Sequence, residues 1–322
     1  VNTSATPQRA APGRHWAQMG ETTFVAGVWL LYWAHRVSGR RLFRVLMAPV
    51  VLVHWLARPA VRAASLQYLQ RMHAAHGVFA KPPGRLQSLR HLALFGETLL
   101  DKLLAMAGRY PEQRVRRHGR ELLERALQQG QGGILVTAHV GCLELCRAMA
   151  DAAAAPKLNV LVHTRHAKAF NDVLLRLNPK AQVQLIEVTE IGAPTAMILA
   201  DKVAAGELVA IAGDRVPVRQ SKTVTADFLG HPAQFPVGAY VLASLLKCPL
   251  YLLGCIHDGD GYAVHFVPLA ERVTLPRGRR DEALQVYAQG FVDALTPLLR
   301  TSPYDWFNFF FFWDQASDES QS

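Results

Sequence analysis

Residues 132–144 read Gly-Gly-Ile-Leu-Val-Thr-Ala-His-Val-Gly-Cys-Leu-Glu. A short apolar run ends on His139, Gly141 follows, and Glu144 opens a helical pattern. Such a run, bounded by turn residues, reads as a strand buried on both faces, the kind that fills parallel sheets. Ile134–Ala138 is therefore expected to be a strand that delivers an imidazole to a strand-to-helix turn. The His-x4-Glu spacing lets a carboxylate in the first helical turn hold one ring nitrogen while the other faces open space. A general base requires that geometry. The bland alternative is a structural histidine bonded to a capping glutamate.

The same alternation continues downstream. Glu144–Ala155 reads as an alanine-rich helix stopped by Pro156, and Leu158–His163 as a second strand. The helix Ala167–Leu177, the strand Val183–Val188 and the helix Pro194–Ala205 follow. Leu208–Ala212 is a fourth strand running into Gly213-Asp214-Arg215. Strands alternating with helices of this length predict an α/β fold, a mostly parallel central sheet flanked by helices. Past Asp214 the rhythm changes. Lys222–Leu229 reads as an edge strand, and residues 228–238, Phe-Leu-Gly-His-Pro-Ala-Gln-Phe-Pro-Val-Gly, as a rigid loop entering the helix Gly238–Lys247. Its Phe235, Pro236 and Gly238 are expected to close over a substrate. Leu250–His257 and Tyr262–Val267 form a hairpin around Asp258–Gly261, and a last helix, Asp281–Arg300, leads into the aromatic tail Trp306–Trp313.

Upstream, residues 15–128 read as almost wholly helical, an N-terminal hairpin or bundle packed on the α/β core of residues 129–313. Residues 1–14 are expected to be a disordered Pro/Ala/Thr-rich leader, and 314–322 a disordered tail. Phe24–Ala34 and Val45–Ala57 are apolar runs. As helices they reach roughly 17–20 Å against a hydrocarbon core of about 30 Å. They predict a hairpin dipping into one leaflet. Arg36, Arg40, Arg41 and Arg44 would then lie at the headgroups, with Trp29, Tyr32, Trp33 and Trp55 at the interface. A pair of core helices or one tilted span are the alternatives.

With 322 residues, half of them hydrophobic and 19% charged, the chain has ample material for a core, which excludes wholesale disorder. Its net charge of +10 calls for an acidic partner: nucleic acid, an anionic membrane or an acidic carrier protein. The basic residues are not interleaved with aromatics as in single-strand binders, so nucleic acid is set aside. Four cysteines make no disulfide scaffold. His139, Cys142 and Cys146 lie close enough to suggest zinc, yet no second cluster at metal spacing completes a site, so no metal is expected. There is no Gly-x-Ser-x-Gly elbow and no Walker sequence. Gly130-Gln131-Gly132-Gly133 precedes its strand instead of following it, unlike a dinucleotide fingerprint.

Three strand ends place His139 with Glu144, Arg165, and Asp214 with Arg215 along one edge of the expected sheet, where open α/β sheets bind ligands. With Trp16…Gly20-Glu21, Ala64-Ser65…Tyr68-Leu69, Phe95-Gly96…Leu100-Asp101-Lys102 and the Phe228–Gly238 block, the chain resembles the bacterial lipid A late acyltransferase family of the lysophospholipid acyltransferase superfamily. The resemblance runs from about Trp16 to Trp313 and implies an acyl-thioester-dependent O-acyltransferase at the cytoplasmic face of the bacterial inner membrane, peripheral or monotopic. It implies His139 as general base, Glu144 as its orienting partner, and Gly141, Arg165, Asp214 and Arg215 as substrate-positioning residues. Acyl carrier protein is the implied partner, with acyl-ACP or acyl-CoA as co-substrate, a membrane lipid as acceptor and no other cofactor. The tail departs from the family, whose lipid A enzymes carry arginines after a late Trp; here Trp306 is followed by Phe-Asn-Phe-Phe-Phe-Phe-Trp. That departure points to a variant branch with a different acceptor. A catalytically silent, membrane-associated lipid-binding or scaffold protein is the second reading.

Overall fold

The computed structural model describes residues 22–130, 132–149, 157–162, 183–187, 193–216 and 222–317. Its strands are β1 (Val115–His118), β2 (Gly133–Thr137), β3 (Leu158–Val162), β4 (Val183–Glu187), β5 (Leu208–Ala212), β6 (Thr223–Phe228), β7 (His231–Pro236), β8 (Leu250–Asp258) and β9 (Gly261–Ala270). One seven-stranded sheet has the order β1-β9-β8-β2-β5-β3-β4. From β8 through β4 the strands run parallel; β9 is antiparallel to β8, and β1 is parallel to β9. This is the expected α/β architecture. Period-two alternation sorts β2 between two cores: Ile134 and Val136 pack on one face with Phe291 and Leu295, Leu135 on the other with Leu100 and Leu103. Both faces are covered, hence the uninterrupted apolar strands.

The helices are α1 (Thr22–Ala57), α2 (Pro59–His76), α3 (Arg85–Met106), α4 (Arg120–Gln128), α5 (Ala193–Ala204), α6 (Gly238–Leu246) and α7 (Arg280–Thr301). The described part of the N-terminal region is helical as expected, except that Val115–His118 forms the edge strand β1. Val115 turns inward while Arg116 is exposed, a charged edge that discourages further pairing.

Packing corrects two expectations for α1. Helix α1 breaks at Gly39 (φ 70°, ψ 179°), and beyond the break Phe43, Met47, Val51 and Trp55 are buried at four-residue spacing against α3. Trp55 is thus a core residue, its indole N–H donating to Ser88 Oγ at 3.2 Å, and not an interfacial one. Arg40 forks onto the buried Asp101 at 2.9 and 2.7 Å, and Arg44 onto Glu97 at 2.9 and 2.8 Å, so these arginines hold α1 to α3 instead of reaching headgroups. The opposite face of α1 exposes Leu42, Val45, Leu46, Val50, Val53 and Leu56. Among the described residues no single helix is long and apolar enough to cross a membrane; the pair Gly39–Ala57 and Pro59–His76, bent by 96°, passes by length and composition only. The leader, the side chains of Trp29, Tyr32, Trp33 and Arg36, and the helix expected at Ala167–Leu177 lie outside the described residues.

The stretch 228–238 is not a loop. β6 and β7 form a separate antiparallel hairpin whose turn, Leu229-Gly230, has positive φ at both residues (58° and 76°). Alternation along β7 then buries Ala233 and Phe235. The helix expected from Glu144 begins as a 3-10 helix, Leu143–Met149.

Between β5 and the acid that follows it, Gly213 leaves no room for a side chain. A Cβ there would lie 2.4 Å from Val136 Cγ1 and 3.1 Å from Phe291 Cζ. Gly213→Ala is expected to destabilise the chain by about 1–3 kcal/mol, read as a lower denaturant midpoint at unchanged slope.

Candidate active site

The site follows from strand register. Thr137 of β2 lies opposite Ala212 of β5, so the residues two positions further on, His139 and Asp214, leave the sheet side by side. The Gly213 N–H donates to the Thr137 carbonyl at 2.8 Å and keeps the two chains together past the last paired residues. Asp214 is fully buried and accepts four hydrogen bonds. His139 Nδ1 lies 2.7 Å from its Oδ1; the His139 N–H (2.8 Å), Trp306 Nε1–H (3.0 Å) and Asn308 Nδ2–H (2.8 Å) donate to Oδ2.

These contacts decide the protonation states. Burial alone would push the Asp214 carboxyl up, but the neighbouring charge and hydrogen bonds of His139, with Arg215, bring it down to about 2. His139 is lowered from its ordinary value, first by desolvation and also by Arg215 and Lys102, with Asp214 opposing. At neutral pH a carboxylate therefore faces a neutral ring. Because the carboxylate only accepts, Nδ1 carries the proton and Nε2 presents a lone pair. About a third of the His139 side chain is open to solvent, and Nε2 has no hydrogen-bond partner among the described residues.

The aromatic tail frames the turn. The Phe307 N–H donates to the His139 carbonyl at 2.8 Å, the Gly141 N–H to the Asp305 carbonyl at 2.9 Å, and Val140 bridges Trp306. Asp305 is itself pinned to β8, its carboxylate 2.5 Å from both the N–H and Nδ1 of His257. Gly141, at φ 45°, lets the backbone pass Cys255; a Cβ would sit 2.0 Å from that carbonyl oxygen. Its role here is close approach. On the far side, buried His91 of α3 joins the Trp306 carbonyl through Nε2 (3.0 Å) and Ser65 Oγ of α2 through Nδ1 (3.0 Å). The carbonyl can only accept, so Nε2 carries the proton and Ser65 donates to Nδ1.

Of the expected site residues, His139, Asp214 and Arg215 converge. Glu144 does not reach His139: its two carboxylate oxygens lie 3.2 and 3.0 Å from Lys102 Nζ. The reason is positional, since Asp214 enters from the neighbouring strand and already fills Nδ1. Arg215 faces the tail, donating to Asn308 Oδ1 (2.8 Å) and to the Phe307 carbonyl (3.3 Å). Phe235 packs against Phe228, Phe291 and Phe312, and Pro236 is buried, so neither lines an open cleft. Gly238 opens α6, and Arg165 lies outside the described residues. Cys142 and Cys146 are buried as small apolar packing, and among the described residues no three ligating side chains converge as a metal site. Sequence reasoning missed Lys102, Trp306, Asn308, Asp305 and His91 as site-building residues. The available signal was Asp305 and Asn308, isolated polar residues in an otherwise apolar tail, where burial obliges each to find a partner.

Residues 93–309 match the model of a family described as bacterial lipid A biosynthesis acyltransferase. No curated protein matches the chain.

Burial lowers His91 to about 3, against an ordinary value of 6.5. The unfolded chain therefore takes up a proton at this residue well before the folded one. The stability it contributes is full above pH 6.5 and is lost as pH falls towards 3, at about 1.4 kcal/mol per pH unit. Denaturant titrations at pH 7.5 and pH 5 should show wild type losing roughly 2 kcal/mol more than His91→Gln, and equal losses would contradict the assignment.

Proposed function

The chain belongs to the bacterial lipid A biosynthesis acyltransferase family, an acyltransferase of lipid substrates. From that premise we propose that it moves a fatty acyl group from an acyl thioester, carried by acyl carrier protein, to a hydroxyl of a lipid or lipid-linked acceptor. His139 is the general base. The observation that carries this reading is the Nδ1–Asp214 contact at 2.7 Å on a ring still one-third open, which leaves a basic Nε2 facing the substrate side. Asp214 orients the ring and stabilises the imidazolium as it forms. A net charge of +10 suits both an acidic carrier and anionic lipid.

The apolar outer face of α1 supports a peripheral or monotopic seat on the cytoplasmic face of the bacterial inner membrane. Seven large apolar side chains from Leu42 to Leu56 are exposed, flanked by exposed Arg41 and Arg58. A contiguous apolar patch rimmed by cations fits an interfacial helix at anionic headgroups.

His139→Ala and Asp214→Asn should each lower kcat for acyl-thioester consumption by about 10²–10⁴-fold, and Asp214→Asn should also melt lower, because an amide cannot accept from all four donors. Because the base is lowered, the acid limb of the wild-type kcat/KM profile should fall below pH 6.5. Undiminished turnover in His139→Ala would remove the proposal. The triple variant Leu46→Asp/Val50→Asp/Val53→Asp should lose sedimentation with anionic vesicles while its circular dichroism is unchanged. Retained sedimentation would exclude α1 as the membrane-facing element.

A further inference from the structure

Acyl transfer creates a charge that His139 and Asp214 cannot carry. As the acceptor oxygen bonds to the thioester carbon, its proton passes to Nε2 and the carbonyl π pair moves onto the carbonyl oxygen. That oxyanion needs a preorganised donor. In the turn after β2 three amides are already used: the N–H of His139 goes to Asp214 (2.8 Å), of Val140 to Ala138 (2.8 Å) and of Gly141 to Asp305 (2.9 Å). Arg215 is turned to the tail at Asn308 and Phe307.

Among the described residues, another cation near this turn comes from α3. Lys102 of α3 extends to Glu144, in the first turn of the 3-10 helix, with Nζ 3.0 and 3.2 Å from its carboxylate oxygens. Both side chains keep some exposure, 24% and 17%. An ammonium has three N–H donors, and two acceptors leave one to spare. We infer that Lys102 is a catalytic residue whose ammonium binds the developing oxyanion, and that Glu144 is the positioning residue that aims it; this rests on the acyl-transfer reading. When the oxyanion collapses, its electron pair returns, the C–S bond breaks, and the thiolate leaves with the proton held by His139. The charge of Lys102 also reaches the imidazole, which it helps to lower.

The test is steady-state thiol release by the full chain, with a lauroyl thioester of acyl carrier protein as donor and detergent-dispersed bacterial lipid as acceptor. Lys102→Met should lower kcat by about 10²–10³-fold with little change in KM for the donor, and Lys102→Arg should restore part of it. Losing a nearby positive charge should also move the acid limb of kcat/KM upward. The neutral pair Lys102→Met/Glu144→Gln guards against misfolding around an unpaired carboxylate. It should be as slow as Lys102→Met and no slower, because Glu144 acts through Lys102. Wild-type kcat in either variant, or a further tenfold loss in the double, overturns the inference alone. No thiol release by the wild-type chain overturns the acyl-transfer reading with it.

Discussion

Asp214 is an ionised carboxylate with no access to water, and the architecture around it follows from that constraint. An isolated buried charge is prohibitively costly, so each lone pair must be met by a donor. The four donors come from two places far apart in the chain, the turn after β2 and the tail at Trp306 and Asn308. Hydrogen bonds to a charged group are worth about 1.5–3 kcal/mol each, and removing one partner costs more than the bond itself. One side chain thereby fixes the relation of β2, β5 and the tail. The catalytic imidazole is held by the same contacts.

The constraint extends into the N-terminal helices. Trp306 gives its indole N–H to Asp214 and its carbonyl to His91, and His91 reaches on to Ser65 of α2. Tyr68 of α2 packs on the Trp306 ring at 4.8 Å between centroids. Helices α2 and α3 are therefore walls of the site as well as neighbours of α1. Arg40 carries the coupling further, through Asp101 to the Tyr262 hydroxyl of β9. An apolar α1 stripe that meets a bilayer would thus be bonded, through α3, to the sheet that carries the imidazole.

Much of the fold was legible because the apolar runs of β2, β5 and β8 state their own burial. Val115–His118 was not, since two arginines in four residues carry no strand pattern and only the free edge of β9 makes a strand of them. The Phe228–Gly238 stretch was misread because its Gly and Pro spell a loop, whereas Leu229-Gly230 closes a hairpin. At the site the difficulty was of another kind. His-x4-Glu is a contact along the chain, and His139–Asp214 is a contact across the sheet, 75 residues apart. No spacing rule reports that two strands are neighbours with Thr137 opposite Ala212. His139, Asp214 and Arg215 were each visible as strand-end residues; which carboxylate serves the imidazole was decided by register.

Asp214 holds His139 in one tautomer, and nitrogen-15 NMR of histidine-labelled protein at pH 7.5 reads which nitrogen carries the proton. Subtracting the spectrum of His139→Gln isolates this ring from the other histidines. Nδ1 should be protonated with a strongly deshielded proton, Nε2 unprotonated, and that signal lost in Asp214→Asn. A proton on Nε2, or a signal unmoved by Asp214→Asn and shifted by Glu144→Gln, would contradict it.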